Sequence, residues 1–393
     1  MATLADRRIE IVLRNKVYFG VGEIARLPEV IGAAGGSRAF VVTDPGVRAS
    51  GVVDRALAVL AAAGLETALF DEVEPNPAAS TVEHGATALR DFGLERTVVV
   101  PVGGGSSMDT AKALDLRAAN ESLSVWELEY DGAALAPGRP VVAVPTTAGT
   151  GAETNSFAVI TDEVVGRKRY VGHPSLLPLA TILDPGLTVG LPTAATAATG
   201  IDAMTHSLES LLSANPNPFA ESTALGVIRT VATWLPRAVA DGGDLEARSQ
   251  MLLASHLAGV GQASGTGVGL VHALGHALGA RGGLPHGTAL AAVLPEVLDF
   301  YRGVRDHELA LVGVTLKVAS PTEDEPTAAG VAIGAIRRLC EEVGQRPTLR
   351  SLGFDERVLD LIAEDAIADE AIRNSPRLPR PSEVRAILAF VLD

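Results

Sequence analysis

The chain has 393 residues, which is enough for two domains. Apolar residues make up 47% and charged residues 20%, as in a globular protein, and no apolar run reaches the ~18 residues that predict a membrane span. A net charge of −15 argues against a nucleic-acid partner, because binding phosphates requires a basic face. The single cysteine, Cys340, excludes an internal disulfide, and the charged N-terminus is unlike a secretory signal, so we expect a cytoplasmic protein.

The first half of the chain alternates apolar runs with helical patterns. Residues 38–43, 97–102 and 141–145 are apolar without polar alternation, which predicts strands buried on both faces. A helix is predicted over 80–92, with Ser80 as its N-cap. Strands that alternate with helices predict a parallel sheet covered on both faces.

The pattern changes after Asp184-Pro185. Alanine- and leucine-rich helical stretches then follow one another, and no comparable run of β-branched residues returns. We therefore predict an α/β domain with a parallel sheet over 1–186 and an all-helical domain over 187–393.

A glycine-rich segment, 103–112 (GGGSSMDTAK), directly follows the predicted strand that ends at Val102. Its glycines let the backbone turn tightly and approach a ligand. A helix beginning near Ser107 would aim free N–H groups and its positive dipole end at that ligand, for which a pyrophosphate is suited. A tight turn without a ligand is the alternative, because glycine motifs alone are weak signals.

Two further loops are expected at strand ends. Residues 145–151 (PTTAGTG) follow the third strand with three hydroxyls and two glycines, and ligands bind at the carboxyl ends of parallel strands. Asp44, at the end of the first strand, would accept hydrogen bonds from a ribose and repel a 2′-phosphate, which favours NAD over NADP. The alternative is that Asp44 serves only the Asp-Pro-Gly turn.

The second half of the chain concentrates carboxylate and imidazole side chains. Asp202 and His206 are four residues apart on a helix predicted over 193–212, so they share one face. Three more histidines follow: His272, His276 and His286. One carboxylate with several imidazoles suits Fe(II) or Zn(II) and does not choose between them. The alternative for a single such pair is core histidines bonded to backbone carbonyls.

In these segments the sequence resembles the iron-containing (group III) alcohol dehydrogenases. The matching segments occur in the family's order: 103–112 (GGGSSMDTAK), 145–153 (PTTAGTGAE), 158–162 (AVITD), 182–185 (ILDP), 200–206 (GIDAMTH) and 271–287. The resemblance runs from Phe19-Gly20 nearly to the C-terminus. It implies a dehydroquinate synthase-like fold, with an N-terminal dinucleotide-binding α/β domain and a helical metal-binding domain, and it implies a homodimer.

The resemblance also implies a role for individual residues. The implied metal ligands are Asp202, His206, His272 and His286. The implied cofactor contacts are Asp44, Gly103, Gly104, Gly105, Ser106, Thr146 and Thr147. His276 would be a non-ligand histidine near nicotinamide and substrate that relays the alcohol proton, with a core or supporting histidine as the alternative.

The chain departs from the family pattern in two places. Residues 261–267 (GQASGTG) replace a short motif that usually contains asparagine, and Arg281 stands where a nonpolar or aromatic residue is usual. Arg281 would pair with a carboxylate or phosphonate on the substrate, unless it is only a surface arginine. Lys168 lies near the position of a lysine that is usual in the family.

We therefore expect a metal-dependent oxidoreductase that transfers a hydride between NAD(H) and a small primary alcohol or aldehyde. Three alternatives stay open. A maleylacetate reductase-like enzyme would act without metal on a dicarboxylate, which the complete set of four implied ligands disfavours. A glycerol dehydrogenase-like enzyme would use zinc. The third alternative is a non-catalytic, nucleotide-binding regulatory protein. A missing metal ligand would favour it, and all four implied ligands are present.

Overall fold

A computed structural model describes residues 11, 13, 15–129 and 135–393 of the chain. The described residues form two compact units. The sheet unit comprises Arg14–Thr196 with Arg237–His256, and the helical unit comprises Ala197–Pro236 with Leu257–Asp393. A parallel-sheet domain followed by a helical domain confirms the predicted fold class. The predicted boundary near residue 186 stays a prediction.

The described part of the sheet unit contains eight strands. In chain order they are β1 (Lys16–Phe19), β2 (Arg38–Val42), β3 (Glu66–Phe70), β4 (Thr97–Gly103), β5 (Val142–Pro145), β6 (Phe157–Asp162), β7 (Arg167–Gly172) and β8 (Ala180–Leu183). Six of them form a parallel sheet in the order β1-β8-β5-β4-β2-β3, and β6 pairs with β7 as an antiparallel hairpin.

Helices cover both faces of this sheet. They are α1 (Leu27–Ala33), α2 (Pro45–Ala49), α3 (Val52–Ala62), α4 (Ala79–Phe92) and α5 (Gly105–Ala119). Successive residues of β2 point to opposite faces, so that Phe40 and Val42 pack with α4 and α5, whereas Ala39 and Val41 pack with α1 and α3. The prediction of strands buried on both faces is confirmed for β2, β4 and β5.

Two local expectations differ from the structure. Ser80 is not the N-cap of α4, because the helix begins at Ala79 and the Ser80 hydroxyl instead donates to Glu163 (3.2 Å). The hairpin of β6 and β7 was not predicted from the sequence. Its second strand contains Arg167, Lys168 and Arg169, and so many charges conceal the apolar pattern of a strand.

Nine helices follow in the described residues: α6 (Thr193–Leu212), α7 (Pro218–Ala240), α8 (Leu245–Gly261), α9 (Leu270–Gly282), α10 (His286–Phe300), α11 (Asp306–Thr315), α12 (Glu325–Glu342), α13 (Leu359–Ala368) and α14 (Pro381–Phe390). The helix predicted over 193–212 is confirmed as α6. The end of α7 and most of α8 belong to the sheet unit. Among the described residues, no helix is long and apolar enough to cross a membrane.

Candidate functional site

Three loops of the sheet unit leave the carboxyl ends of neighbouring strands. β4 lies between β5 and β2, and the chain passes from β2 outward to β3 before it returns across the sheet to β4. The point at which the strand order reverses therefore lies between β2 and β4. Ligands of open α/β sheets bind at such a point, outside the carboxyl ends of the strands. Asp44 follows β2, the glycine-rich segment follows β4, and the loop of residues 145–151 follows β5.

The glycines of this segment are required by close contacts. A Cβ atom on Gly103 would lie 2.3 Å from the Ser107 hydroxyl, and one on Gly105 would lie 2.7 Å from the Thr150 methyl group. α5 begins at Gly105, earlier than the expected start near Ser107. The N-terminus of α5 thus stays bare of side chains where a helix attracts anions, which fits a pyrophosphate.

Thr146 and Thr147 lie beside these glycines. The Thr146 N–H donates to the Gly103 carbonyl (2.9 Å), and the Thr147 side chain packs against Gly104. The Thr146 hydroxyl is buried and has no hydrogen-bond partner among the described residues. An unsatisfied buried polar group costs about 1–3 kcal/mol, so this hydroxyl fits a site that receives a polar ligand.

The two carboxylate oxygens of Asp44 accept hydrogen bonds from different groups. Oδ1 accepts from the N–H groups of Gly46 and Val47 (2.9 Å each) and caps α2. Oδ2 accepts from the Ser107 hydroxyl (3.2 Å). The capping contact matches the turn interpretation, while the second oxygen places a negative charge beside the glycine-rich loop, as the cofactor interpretation requires.

A buried lysine that the sequence analysis did not single out connects two of these loops. Lys112 on α5 donates from Nζ to the Ala152 carbonyl (2.5 Å), to Asn155 Oδ1 (2.8 Å) and to the Phe157 carbonyl (3.0 Å). Burial lowers the pKa of Lys112 to about 8, although the nearby carboxylate of Asp109 acts to raise it. The three hydrogen bonds fix the segment that follows residues 145–151 against the helix that begins at the glycine-rich loop.

In the helical unit, one carboxylate and three imidazoles converge. Asp202 and His206 lie one turn apart on α6, His272 lies in the first turn of α9, and His286 is the first residue of α10. Asp202 Oδ1 is 3.5 Å from His206 Nδ1, and it is 3.7 and 3.8 Å from Nε2 of His272 and His286. The Nε2 atoms of His206 and His272 are 3.1 Å apart.

This donor set fits a divalent metal ion. The donor atoms of Asp202, His206 and His272 all lie within 4.8 Å of one another. A tetrahedral ion with ligand bonds of about 2.0–2.2 Å holds neighbouring donors about 3.3–3.6 Å apart, close to the spacing observed around Asp202. His286 lies at the edge of the cluster, with 24% of its side chain exposed and its ring 5.3 Å from that of His272.

The charge state of Asp202 also fits a metal. Burial acts to raise the pKa of this carboxyl group, but the imidazoles of His206, His272 and His286 outweigh burial and hold the pKa below its usual range. Asp202 is therefore an anion at neutral pH, which is the state that ligates metals. Mixed oxygen and nitrogen donors suit both Fe(II) and Zn(II).

His276 lies beside this cluster without joining it. Its ring stacks on that of His286 with the centroids 5.4 Å apart, and its Nδ1 is 2.9 Å from Asp369 Oδ2. The other oxygen of Asp369 accepts from the Ala371 N–H (2.8 Å), which anchors the carboxylate. Sequence reasoning missed Asp369, because no local pattern connects it to a histidine 93 positions away.

Glu209 is a second residue that sequence reasoning missed. Its Oε2 is 2.6 Å from His272 Nδ1, and its Oε1 accepts from the Val271 N–H (2.7 Å). A signal was present, because Glu209 follows Asp202 by seven residues and so lies on the same stripe of α6 as Asp202 and His206.

One histidine of the same stretch of sequence belongs elsewhere. His256 lies on α8, in the sheet unit, and its Nδ1 is 3.0 Å from Glu153 Oε1, with both side chains buried. This pair contributes nothing to the convergence of Asp202 with the other imidazoles.

The remaining singled-out positions occupy ordinary structural settings. Arg281, in the last turn of α9, pairs through Nε with Asp365 Oδ2 (2.5 Å) and has 35% of its side chain exposed. Lys168 lies on β7 opposite Thr161. Within the departure from the family motif, the backbone kinks after α8, because Ser264 and Gly265 leave helical angles and Gly265 has a φ of 92°.

Comparisons with known protein families cover both halves of the chain. The family described as iron-containing alcohol dehydrogenase matches residues 14–185. The family described as Fe-containing alcohol dehydrogenase, C-terminal, matches residues 196–392.

Individual proteins resemble the chain over nearly its full length. It is 36% identical to 1,3-propanediol dehydrogenase of Klebsiella pneumoniae over 390 residues, which are 98% of this chain and 99% of that protein. A crystal structure of a 1,3-propanediol oxidoreductase superposes with a TM-score of 0.93 at 35% identity, covering 98% of this chain and 100% of that one. A sulfoacetaldehyde reductase from Bifidobacterium kashiwanohense, solved in complex with NAD+, superposes with a TM-score of 0.87 at 25% identity, covering 98% and 99%.

Proposed function

This chain belongs to the iron-containing alcohol dehydrogenase family, and we propose that it interconverts a small primary alcohol and its aldehyde by exchanging a hydride with NAD(H). The membership makes the protein an enzyme, an NAD-dependent oxidoreductase of alcohols that contains a metal. The observation that carries the proposal is the convergence of Asp202 with three imidazoles in the helical unit.

We assign the metal to Asp202, His206, His272 and His286. When bound there, the metal supplies Lewis-acid chemistry, which lowers the pKa of the alcohol hydroxyl. The chain contributes one anionic oxygen and three imidazole nitrogens, held by α6, α9 and the start of α10. Burial of Asp202, His206 and His272 keeps water from competing for these three donors.

We assign NAD to the loops of the sheet unit. The N-terminus of α5, with Gly103–Gly105 and Ser106, would hold the pyrophosphate, and Thr146 and Thr147 would donate further hydrogen bonds. Asp44 would accept from the ribose and disfavour the 2′-phosphate of NADP. The nicotinamide of NAD supplies the hydride acceptor.

We assign the movement of the alcohol proton to His276. An ionised carboxylate only accepts hydrogen bonds, so the contact with Asp369 requires the proton of neutral His276 to reside on Nδ1. The pKa of Asp369 supports this state: burial acts to raise it, but the histidine neighbours hold it below its usual value. Nε2 of His276 is thereby left as the atom that accepts a proton from the hydroxyl.

The charges support a neutral substrate. The positive charge of Arg281 is already balanced by the Asp365 carboxylate, 2.5 Å from Nε, which weakens its attraction for an anionic substrate. The relative from Klebsiella pneumoniae is a dehydrogenase of 1,3-propanediol, a small neutral alcohol. The similarity to a sulfoacetaldehyde reductase keeps an anionic aldehyde as the competing substrate class.

The test is a reaction with isotope-labelled alcohol. The metal-reconstituted enzyme is incubated with NAD and alcohols that carry deuterium at the carbinol carbon, and the reduced cofactor is examined by NMR. We expect deuterium at nicotinamide C4 with 1,3-propanediol or a similar neutral alcohol. Turnover without deuterium in NADH, or no turnover across neutral and anionic alcohols while NAD still binds, would contradict the proposal.

We further propose that the enzyme acts in the cytoplasm as a homodimer and binds no nucleic acid. The acidic net charge and the single cysteine support the compartment and the exclusion of nucleic acid. Dimers are also the commonest state of oligomeric enzymes. Light scattering should give about twice the 40.5 kDa of one chain. A mass of one chain would contradict the dimer.

A further inference from the structure

We propose that Glu209 is a positioning residue of the metal centre, which sets the orientation and protonation of His272 with the same carboxylate that caps helix α9. This inference rests on the proposed function, since it concerns the metal assigned to Asp202 and the three histidines. Glu209 is a buried acid that the mechanism above does not use, and both of its oxygens contact the segment that carries His272.

The contact with His272 determines which ring nitrogen is available to a metal. Glu209 Oε2 lies 2.6 Å from His272 Nδ1, a short, charge-assisted distance. Because the carboxylate only accepts, Nδ1 carries a proton, and in the neutral ring Nε2 is then the nitrogen that keeps its lone pair. Nε2 is the atom of His272 that lies 3.1 Å from His206 Nε2 and faces Asp202. Glu209 thus selects the tautomer that can bind the ion.

The second oxygen of Glu209 fixes the helix that carries His272. Oε1 accepts from the Val271 N–H, one of the unpaired donors at the start of α9. The N-cap residue Gly269 provides no side chain for this purpose, and a Cβ atom there would lie 3.1 Å from Oε1. The cap is therefore supplied by α6, and glycine at position 269 leaves the space for it.

The space around the Glu209 carboxylate is lined by neutral groups and by the N-terminus of α9. The hydroxyls of Tyr301 and Ser375 line the same space beside Gly269, at 3.6 and 3.2 Å from its ideal Cβ position. Burial, together with the charge of Glu209, raises the pKa of Tyr301, so this phenol stays neutral. The positive end of α9 stabilises the buried negative charge of Glu209.

Loss of the Glu209 carboxylate should weaken metal binding, because it changes the balance of charge at the site. Asp202 and Glu209 together balance a divalent ion, and removing the second charge leaves one positive charge uncompensated in a buried site. In E209Q the side-chain amide can present its oxygen to only one of the two donors, His272 Nδ1 or the Val271 N–H. Removing such an outer partner typically weakens metal affinity about 10–100-fold.

The test compares Glu209→Gln with a matched variant, Glu153→Gln. Glu153 also forms a buried hydrogen bond to a histidine Nδ1, that of His256, but in the sheet unit. Affinity for Zn(II) is measured in metal-buffered solutions. In a separate sample Co(II) is bound instead, because its visible absorption spectrum reports the coordination of the ion. We expect E209Q to bind Zn(II) about 10–100-fold more weakly and to alter the Co(II) spectrum. We expect E153Q to stay within about twofold of the wild type, since loss of a buried pair elsewhere changes stability and not the site.

Each result decides one point. An E209Q protein with wild-type Zn(II) affinity and an unchanged Co(II) spectrum overturns the inference while the proposed function stands. An equal loss in E153Q and E209Q also overturns it, because the effect would then be general destabilisation. A wild-type protein that binds neither ion at one per chain defeats the proposed function and the inference together. If E209Q does not fold, E209D replaces it. Its shorter side chain should lose at least one of the two contacts of Glu209. Wild-type Zn(II) affinity in E209D would therefore overturn the inference.

Discussion

The two units of the molecule hold their functional groups in different ways. In the sheet unit, the groups are glycines, backbone N–H groups and hydroxyls that lie in contiguous loops after the ends of strands. In the helical unit, the groups are charged or imidazole side chains, and the contact between His206 and His272 joins residues 66 positions apart. A loop at a strand end can thus be recognised in the sequence as one contiguous motif, whereas a site between helices depends on packing.

The largest effect should come from His272→Ala. Removing one imidazole from the cluster should abolish stoichiometric metal binding and lower kcat/KM about 10³-fold or more, since the Lewis-acid contribution is several kcal/mol. NAD affinity, which we assign to the sheet unit, should be unchanged. Metal analysis, steady-state kinetics and fluorescence titration with NAD measure the three quantities.

His256→Ala is the matched control for that variant. His256 is also buried and also bonded to a glutamate, but it lies in the sheet unit. The His256→Ala protein should keep one metal ion per chain. A metal-free His272→Ala protein with wild-type activity would refute the assigned ligand set.

Asp369→Asn should have the next largest effect. An amide donates as well as accepts, so it no longer restricts the proton of His276 to Nδ1, and we expect kcat to fall about 10–100-fold, a part of what general acid–base catalysis contributes. Metal content and NAD affinity should stay unchanged. A fall in metal content equal to the fall in kcat would show that Asp369 supports the metal and not the proton.

Asp44→Ser tests whether the sheet unit sets the preference for NAD over NADP. Serine is a good N-cap and can keep the bonds to Gly46 and Val47, while the negative charge beside the loop is removed. We expect the preference for NADH over NADPH in kcat/KM to fall about tenfold, or ~1.4 kcal/mol, with the metal undisturbed. An unchanged preference would leave Asp44 as a capping residue only.

Arg281→Ala should have the smallest effect. Because Asp365 already balances this guanidinium, KM should change less than about twofold for neutral and anionic aldehydes alike. The measurement is KM for a matched pair of aldehydes that differ in one anionic group. A rise confined to the anionic aldehyde would instead identify Arg281 as its binding residue and shift the substrate class.

Features that lie within one contiguous segment were largely predictable from the sequence, and features formed by packing of distant segments were not. The buried strands β2, β4 and β5 were predictable because their apolar runs are uninterrupted, whereas β7 was not because its charges hide the pattern. Asp202 and His206 were recognisable because a helix brings residues four apart to one face. Glu209 carried the same signal and could have been included. Asp369 could not, because only tertiary packing brings it to His276.

The measurement that tests the central claim most directly is a titration of the chelated enzyme with Fe(II) and, separately, with Zn(II), followed by NADH oxidation with short neutral and anionic aldehydes. The arrangement of Asp202, His206, His272 and His286 predicts no activity without metal and a linear rise that saturates at one ion per chain. Neutral aldehydes should be preferred. Full activity after complete metal removal would contradict the account and place the chain with metal-independent reductases of dicarboxylates.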